Sequence, residues 1–336
     1  MRLSFKICIW AGLLIGVSAS AASAEPNTID AQDFLTVMDL SKKEIATAKA
    51  GEIITGSADA SNERELVATM AFIVEDSAPE ELVERGESGL LDKIDEHTIA
   101  FAMLPDDPTL EDFAELKLRK EDLEAFARAE SGDELNLSEE EIAKVQGLGK
   151  DASAEQIEGF VREAMLARVQ AYKAKGLEGI PLYDREGAID RAAGEELMTA
   201  TIAAKAVKTI APMTYEVLIG YPKSKPPGTE EAYRWSYIDA HDEPTIVLTH
   251  SLYVPEGGSW MVVQRQFYVS RGYNCEQAIA AFVPVTEGTA VFYINRTSTD
   301  QVAGFGGGAK RSIGSKLLAS ELEALYSKVQ DTAESK

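Results

Sequence analysis

The sequence predicts an α+β fold: an antiparallel sheet closed by one long C-terminal helix, with a large acidic helical block inserted ahead of most of the strands. Three observations predict it. Acidic residues crowd the first part, with 42 acids and 18 bases in residues 25–200 against 14 and 13 afterwards. Tyrosine runs the other way, nine of the eleven lying after residue 200 together with Trp235 and Trp260. The hydrophobic period also changes, from helical spacing before Pro212 to alternation after it.

The chain opens on MRLSFKICIWAGLLIGVSASAASA, where Arg2 and Lys6 precede an apolar run from Ile7 to Val17. Ala22-Ser-Ala24 then gives a small-x-small cleavage site, so a removable secretory leader ending after Ala24 is expected, with a periplasmic or secreted product. No cysteine follows the run, which argues against a lipoprotein. Cys8 goes with the leader, and Cys275 remains as a single thiol that supports no disulfide scaffold or multi-cysteine zinc site.

The first element is a helix from about Asp30 to Ala50. A hairpin follows, Ile53–Thr55 with Leu66–Val74, the second strand being β-branched and apolar. A lone hairpin is marginal in water, so it is expected to join the later sheet in one composite domain over 25–336. Ser77, Pro79 and Glu80 carry the N-cap, first-turn proline and capping-box pattern of a helix start. His97–Leu104 reads as a strand ended by Pro105 and Pro108. Residues 105–212 form the acidic helical insertion. Within it Val161, Met165, Val169 and Tyr172 share a face, leaving Arg162, Glu163 and Arg168 for solvent. The acidic run Glu139–Glu141 reads as solvated helix surface.

Beyond Pro212 the candidate strands are Tyr215–Gly220, Tyr233–Asp239, Thr245–Val254, Trp260–Ser270, Gln277–Val285 and Thr289–Arg296. Turn signals separate them at short intervals, the pattern of a meander. Gly304-Phe-Gly-Gly-Gly308 leads into the last helix, where Ile313, Leu317, Leu318, Leu322, Leu325 and Val329 make an apolar stripe.

The segment VATMAFIVEDSAPEELVE, residues 67–84, resembles the opening of the START/Bet v1-like, or helix-grip, superfamily: a strand ending just before an Ala-Pro-x-Glu helix start. Gln170-Ala-Tyr172 with Leu182-Tyr-Asp184, Tyr221-Pro222 with Pro227-Gly228, Tyr233-x-Trp235-Ser236, Pro244 to His250, and Tyr293-Ile-Asn-Arg296 with Asp300 are similar to segments of uncharacterised secreted bacterial proteins built on that plan. The resemblance implies a sheet wrapped around the last helix with an apolar cavity between them. It implies no activity.

Composition narrows function. A net charge of −23, from 33 basic and 56 acidic residues, argues against nucleic acid and anionic membrane surfaces as partners. No span after the leader is long and apolar enough for a membrane helix. There is no Gly-x-Ser-x-Gly elbow and no His-Glu-x-x-His, so no catalytic residue, cofactor or metal is expected. His241-Asp242-Glu243 reads as a turn, since adjacent loop residues rarely converge on one ion. Gly304-x-Gly306-x-x-Ala309 lacks the strand that a dinucleotide loop needs directly before it. Cys275 sits beside Glu276, which disfavours a thiolate.

Alternation places Met261, Val263, Arg265, Phe267 and Val269 on one inward face of their strand. A cation among apolar neighbours requires a structural acid or an anionic ligand. Arg296 repeats the pattern with Ala290, Phe292 and Ile294, and His250 shares a face with Ile246, Leu248, Leu252 and Val254. The expected ligand-binding set is Tyr237, His250, Arg265, Phe267, Phe292 and Arg296. The function expected is a binding or carrier protein for an apolar, lipid-like and anionic molecule. The alternative is an envelope interaction protein with a packed core and an acidic docking surface, its arginines held by structural acids.

Overall fold

The structure, a computed structural model, describes residues 30–87, 97–132, 134–149, 151–185, 189–240 and 243–334. The expected leader lies outside the described residues, as do His241 and Asp242.

One sheet organises the chain. β4 (Glu230–Ala240), β5 (Glu243–Glu256), β6 (Ser259–Val269), β7 (Cys275–Val285) and β8 (Gly288–Ser298) form a meander of adjacent antiparallel strands. The earlier strands bracket it. β2 (Glu65–Glu75), with β1 (Ile54–Gly56) outside it, pairs with β8, while β3 (Thr98–Leu104) pairs with β4 at the opposite edge. The sheet order is therefore β1-β2-β8-β7-β6-β5-β4-β3.

Both faces of this sheet are apolar, and that dictates the rest. On the back face, Leu66, Met70, Val291, Ala280 and Val262 pack against Leu318 and Leu322 of the last helix, α10 (Gly307–Glu334), and Val83 of α3 (Pro79–Glu87). The front face carries two cores. Over β3–β5 lies the helical block, with Phe113, Phe126 of α4 (Lys120–Ala127), Ile157, Met165 and Val169 against Trp235, Tyr237 and Leu248. Over β2, β8, β7 and β6 lie α1 (Ala31–Val37), α2 (Lys42–Lys49), α8 (Lys205–Ile210) and α9 (Pro212–Gly220), touching Ala71, Ile279 and Ala281. Each fully buried aliphatic or aromatic side chain contributes about 1.5–3 kcal/mol, so leaving either face open would forfeit a large share of the driving force.

The helix-grip expectation is overturned by this arrangement, and mixed α+β is what holds. The sheet is one large eight-stranded layer. α10 lies on its back along β2 and β1 at one flank and is not enclosed by it. The 22-residue α6 (Ala154–Lys175), from the middle of the chain, belongs to the core on the front. Alternation predicts one buried face, whereas β5 is buried at eleven consecutive positions.

Other expectations are corrected at the level of elements. The first helix is two, broken at Asp39, whose φ is 65°. Tyr215–Gly220 is helical, the end of α9, which starts on Pro212. Its free N–H groups at Met213 and Thr214 donate to the Glu256 carboxylate at 3.1 and 3.0 Å. Arg168 is buried, its Nε 2.8 Å from Glu141 Oε1 and its guanidinium 4.1 Å above the Tyr268 ring. Glu141 of α5 (Glu139–Gly147) is therefore a core ion-pair partner as well as the N3 member of a capping box with Ser138. In α10, Leu318 and Leu322 are buried while Ile313 and Leu317 are exposed; the side chains of Leu325 and Val329 lie outside the described residues. α10 comes close to β2 at Gly314, where a Cβ would stand 2.8 Å from Leu66. No described helix is long and apolar enough to cross a membrane.

Candidate functional site

The front face does not fill completely. Between β2, β8 and β7, the α1–α2 corner, the segment after β1 and the start of α8, there is a cavity of about 570 Å³. Its floor is two cross-strand rows. Ala71, Phe292, Ala281 and Met261 form one; Thr69, Ile294 and Ile279 form the next. The cause of the space is composition. Ala71, Ala281, Ala203, Ala204 and Ala206 all line it, and short side chains on both walls leave volume between a sheet and its helices. Arg296, one row further along β8, closes one end.

That next row is polar. Tyr233, His250, Arg265, Gln277 and Arg296 are successive cross-strand partners from β4 to β8. Arg296 NH1 donates to Glu65 Oε2 at 2.8 Å and to Ser61 Oγ at 3.3 Å. Arg265 is 0% exposed. Its Nε donates to Gln277 Oε1 at 2.9 Å, and its NH2 to Thr201 Oγ1 at 3.1 Å and the Leu218 carbonyl at 2.7 Å. Thr201, on α7 (Ala193–Ala203), also donates to Gln277 Oε1 at 2.9 Å. Arg265 NH1, Gln277 Nε2 and Arg296 Nε are buried with no hydrogen-bond partner among the described residues.

His250 is fully buried in an aromatic nest. It stacks on Tyr233 at 4.4 Å, and Tyr172 and Tyr221 flank it. Its Nε2 is 3.1 Å from Glu231 Oε2 and its Nδ1 3.1 Å from the Tyr172 hydroxyl. Burial pushes its pKa down to about 4, against the pull of Glu231, so the ring is neutral at pH 7. A carboxylate only accepts, so Nε2 carries the proton and Nδ1 accepts from Tyr172. Burial opposes charge on Glu231, yet its bond from His250 and its contact with Lys225 hold its pKa down to about 2. The imidazole thus links tyrosine to carboxylate in a closed chain.

The six residues expected to bind ligand divide. Phe292 and Arg296 line the cavity; Arg265 and His250 continue the Arg296 row beneath α7 and the aromatic nest. Phe267 stacks on Tyr172 at 4.2 Å, outside the cavity. Tyr237 lies further off, accepting from the Arg119 backbone N–H at 3.0 Å and donating to the buried Asp122 carboxylate. Val269 leaves the face assigned to it. A bulge between Leu248 and Thr249 opposes two β6 residues to one, so Tyr268 joins the front core and Val269 packs with Val247 and Tyr273.

Thr201, Gln277 and Glu65 escaped the sequence reading. Gln277 was within reach: it alternates with Ile279 and Ala281, the one polar residue on that face of the strand. Thr201 arrives from a helix, which no strand pattern predicts. Cys275 is buried, and burial together with Glu196 and Glu276 raises its thiol pKa well above the ordinary range. Among the described residues no group of three His, Cys, Asp or Glu could hold a metal ion. No family model, curated protein or solved structure matches this chain.

Proposed function

We propose that this chain is a binding or carrier protein for an apolar, lipid-like small molecule, exported by the leader that the sequence carries. The observation that supports binding is the front-face cavity. About 570 Å³ lies within the range of small-molecule sites, and one row of its floor alternates alanine with large apolar side chains while the next is Thr69, Ile294 and Ile279. The Tyr172–His250–Glu231 chain does not argue for catalysis, because the imidazole is fully buried and lies outside the cavity lining.

The test is occupancy and blockage. Native mass spectrometry of the mature protein from its own host should show an added mass that leaves on organic extraction. The purified protein should also enhance the fluorescence of N-phenyl-1-naphthylamine, and Ala281→Leu, which fills the floor, should weaken that binding at least tenfold, roughly the worth of a lost apolar contact. Equal probe binding in Ala281→Leu, with circular dichroism unchanged, would place the apolar site elsewhere and overturn the reading.

A further inference from the structure

The last helix is apolar on two sides, and one of them meets the sheet. Leu318, Ala319 and Leu322 are buried against it, Gly314 closes on Leu66, and Ser315 Oγ accepts from the Val67 backbone N–H at 3.1 Å. These contacts fix the rotation of α10 about its axis. Ile313 and Leu317, one turn apart, are therefore turned outward and stand 47% and 44% exposed. A helix lying on a sheet needs one apolar stripe, so the second serves no packing among the described residues.

Just ahead of the helix, Phe305 is completely exposed. It sits at the tip of a closed turn, where the Gly307 N–H donates to the Gly304 carbonyl at 2.9 Å. Gly306 has φ 75°, as the third position of such a turn asks. A phenyl ring held in water by a fixed turn, and followed by two exposed aliphatic side chains, marks a contact surface.

Charge identifies what it contacts. The net charge of −23 argues against an anionic surface for the molecule as a whole, but charge is a sum over faces. From Gln301 to Ser320 the chain has no Asp or Glu, and it has Lys310, Arg311 and Lys316. Lys310 and Lys316 lie three residues before and after Ile313, on its side of the helix. Neither has an ion-pair partner among the described residues. Arg311 NH1 donates to the Glu63 carbonyl at 2.9 Å, and even with Glu63 counted the segment is positive. At physiological salt, charges more than about 8 Å from a surface are screened, so the approaching face decides. An apolar wedge flanked by unpaired cations fits an anionic lipid surface, the ring entering the acyl boundary while the ammonium groups meet phosphates. We infer that Phe305 and the outward side of residues 309–317 dock this protein on an anionic bilayer. The inference stands apart from the cavity.

Flotation of the mature protein with vesicles tests it, using phosphatidylcholine alone or with one-third phosphatidylglycerol. Binding to the mixed vesicles should be about tenfold or more tighter, each lysine at an anionic surface being worth about fivefold. It should fall sharply between 0.1 M and 1 M NaCl, as the Debye length shrinks from about 10 to about 3 Å. Phe305→Ser should weaken it about tenfold. Lys310→Glu together with Lys316→Glu should bring the two vesicle types within about threefold of each other. Leu110→Ser, at a leucine 45% exposed on the helical block of the front face, should bind as the wild type does. Absence of binding to the mixed vesicles overturns the inference, and so does equal binding to both. Equal losses in Leu110→Ser and Phe305→Ser overturn it as well, by showing a non-specific association. If vesicles are ignored while sedimentation shows a dimer that Phe305→Ser dissolves, the face joins two copies of the chain instead. Phe305 and Leu110 are exposed, so their variants should keep the fold, which circular dichroism checks.

Discussion

Two buried side chains titrate in opposite senses, and together they shape the response of this protein to pH. His250 has its pKa lowered from 6.5 to about 4 by burial. Below pH 6.5 the unfolded chain takes up a proton that the native protein refuses, so this contribution is whole above 6.5 and lost as pH falls towards 4. Glu276 on the back face has its pKa raised from 4.5 to about 8 by burial, despite bonds from Asn295 and Thr297. Its contribution is whole below 4.5 and lost as pH rises towards 8. Between pH 4.5 and 6.5 the two slopes oppose. Above 6.5 Glu276 acts without that opposition, so the urea midpoint should fall from pH 6.5 to 8, and Glu276→Gln should flatten that fall. A wild-type midpoint that does not move over this range would show Glu276 to be ionised in the native state. At this scale the sequence was legible where a charge interrupts an alternating apolar face, as at Arg265 and Arg296. It was illegible where the partner comes from another layer, as Glu141 does for Arg168.

Elements obeyed local rules until a tertiary contact outvoted them. Tyr215-Glu-Val-Leu-Ile-Gly220 carries aromatic and β-branched residues and reads as strand. Pro212 suits the first turn of a helix, and the carboxylate of Glu256, at the end of β5, satisfies the two amides that follow. A cap supplied from a distant strand leaves no local trace. Glu256→Ala should therefore cost about 0.5–2 kcal/mol, with faster amide exchange concentrated in Pro212–Gly220. Uniform exchange across the sheet instead would assign the loss to β5. The end of α6 shows the same dependence. Gly176 has φ 62°, and a Cβ there would meet the Tyr221 carbonyl at 2.3 Å, so this glycine brings the helical block against the loop that enters β4. By contrast, the meander strands from β4 to β8 were legible, because turn signals punctuate them and alternation needs no partner to be read.

At the scale of the whole molecule, the error in reading was about layers. A single apolar face predicts one covering layer, whereas this sheet has two apolar faces and takes helices from four parts of the chain to cover them. The sheet order carries a further consequence, in time and not in space. β4 to β8 find their neighbours through short turns, but β2 pairs with β8 across more than two hundred residues. Closing so long a loop is slow and entropically expensive relative to a hairpin. The meander is thus expected to assemble first, with the free edge of β8 waiting unpaired until β2 docks. In stopped-flow refolding, Val263→Ala in β6 should slow folding, while Val67→Ala in β2 should chiefly speed unfolding. A β2 substitution that slows folding as much would mean that the two ends of the chain meet before the middle has formed.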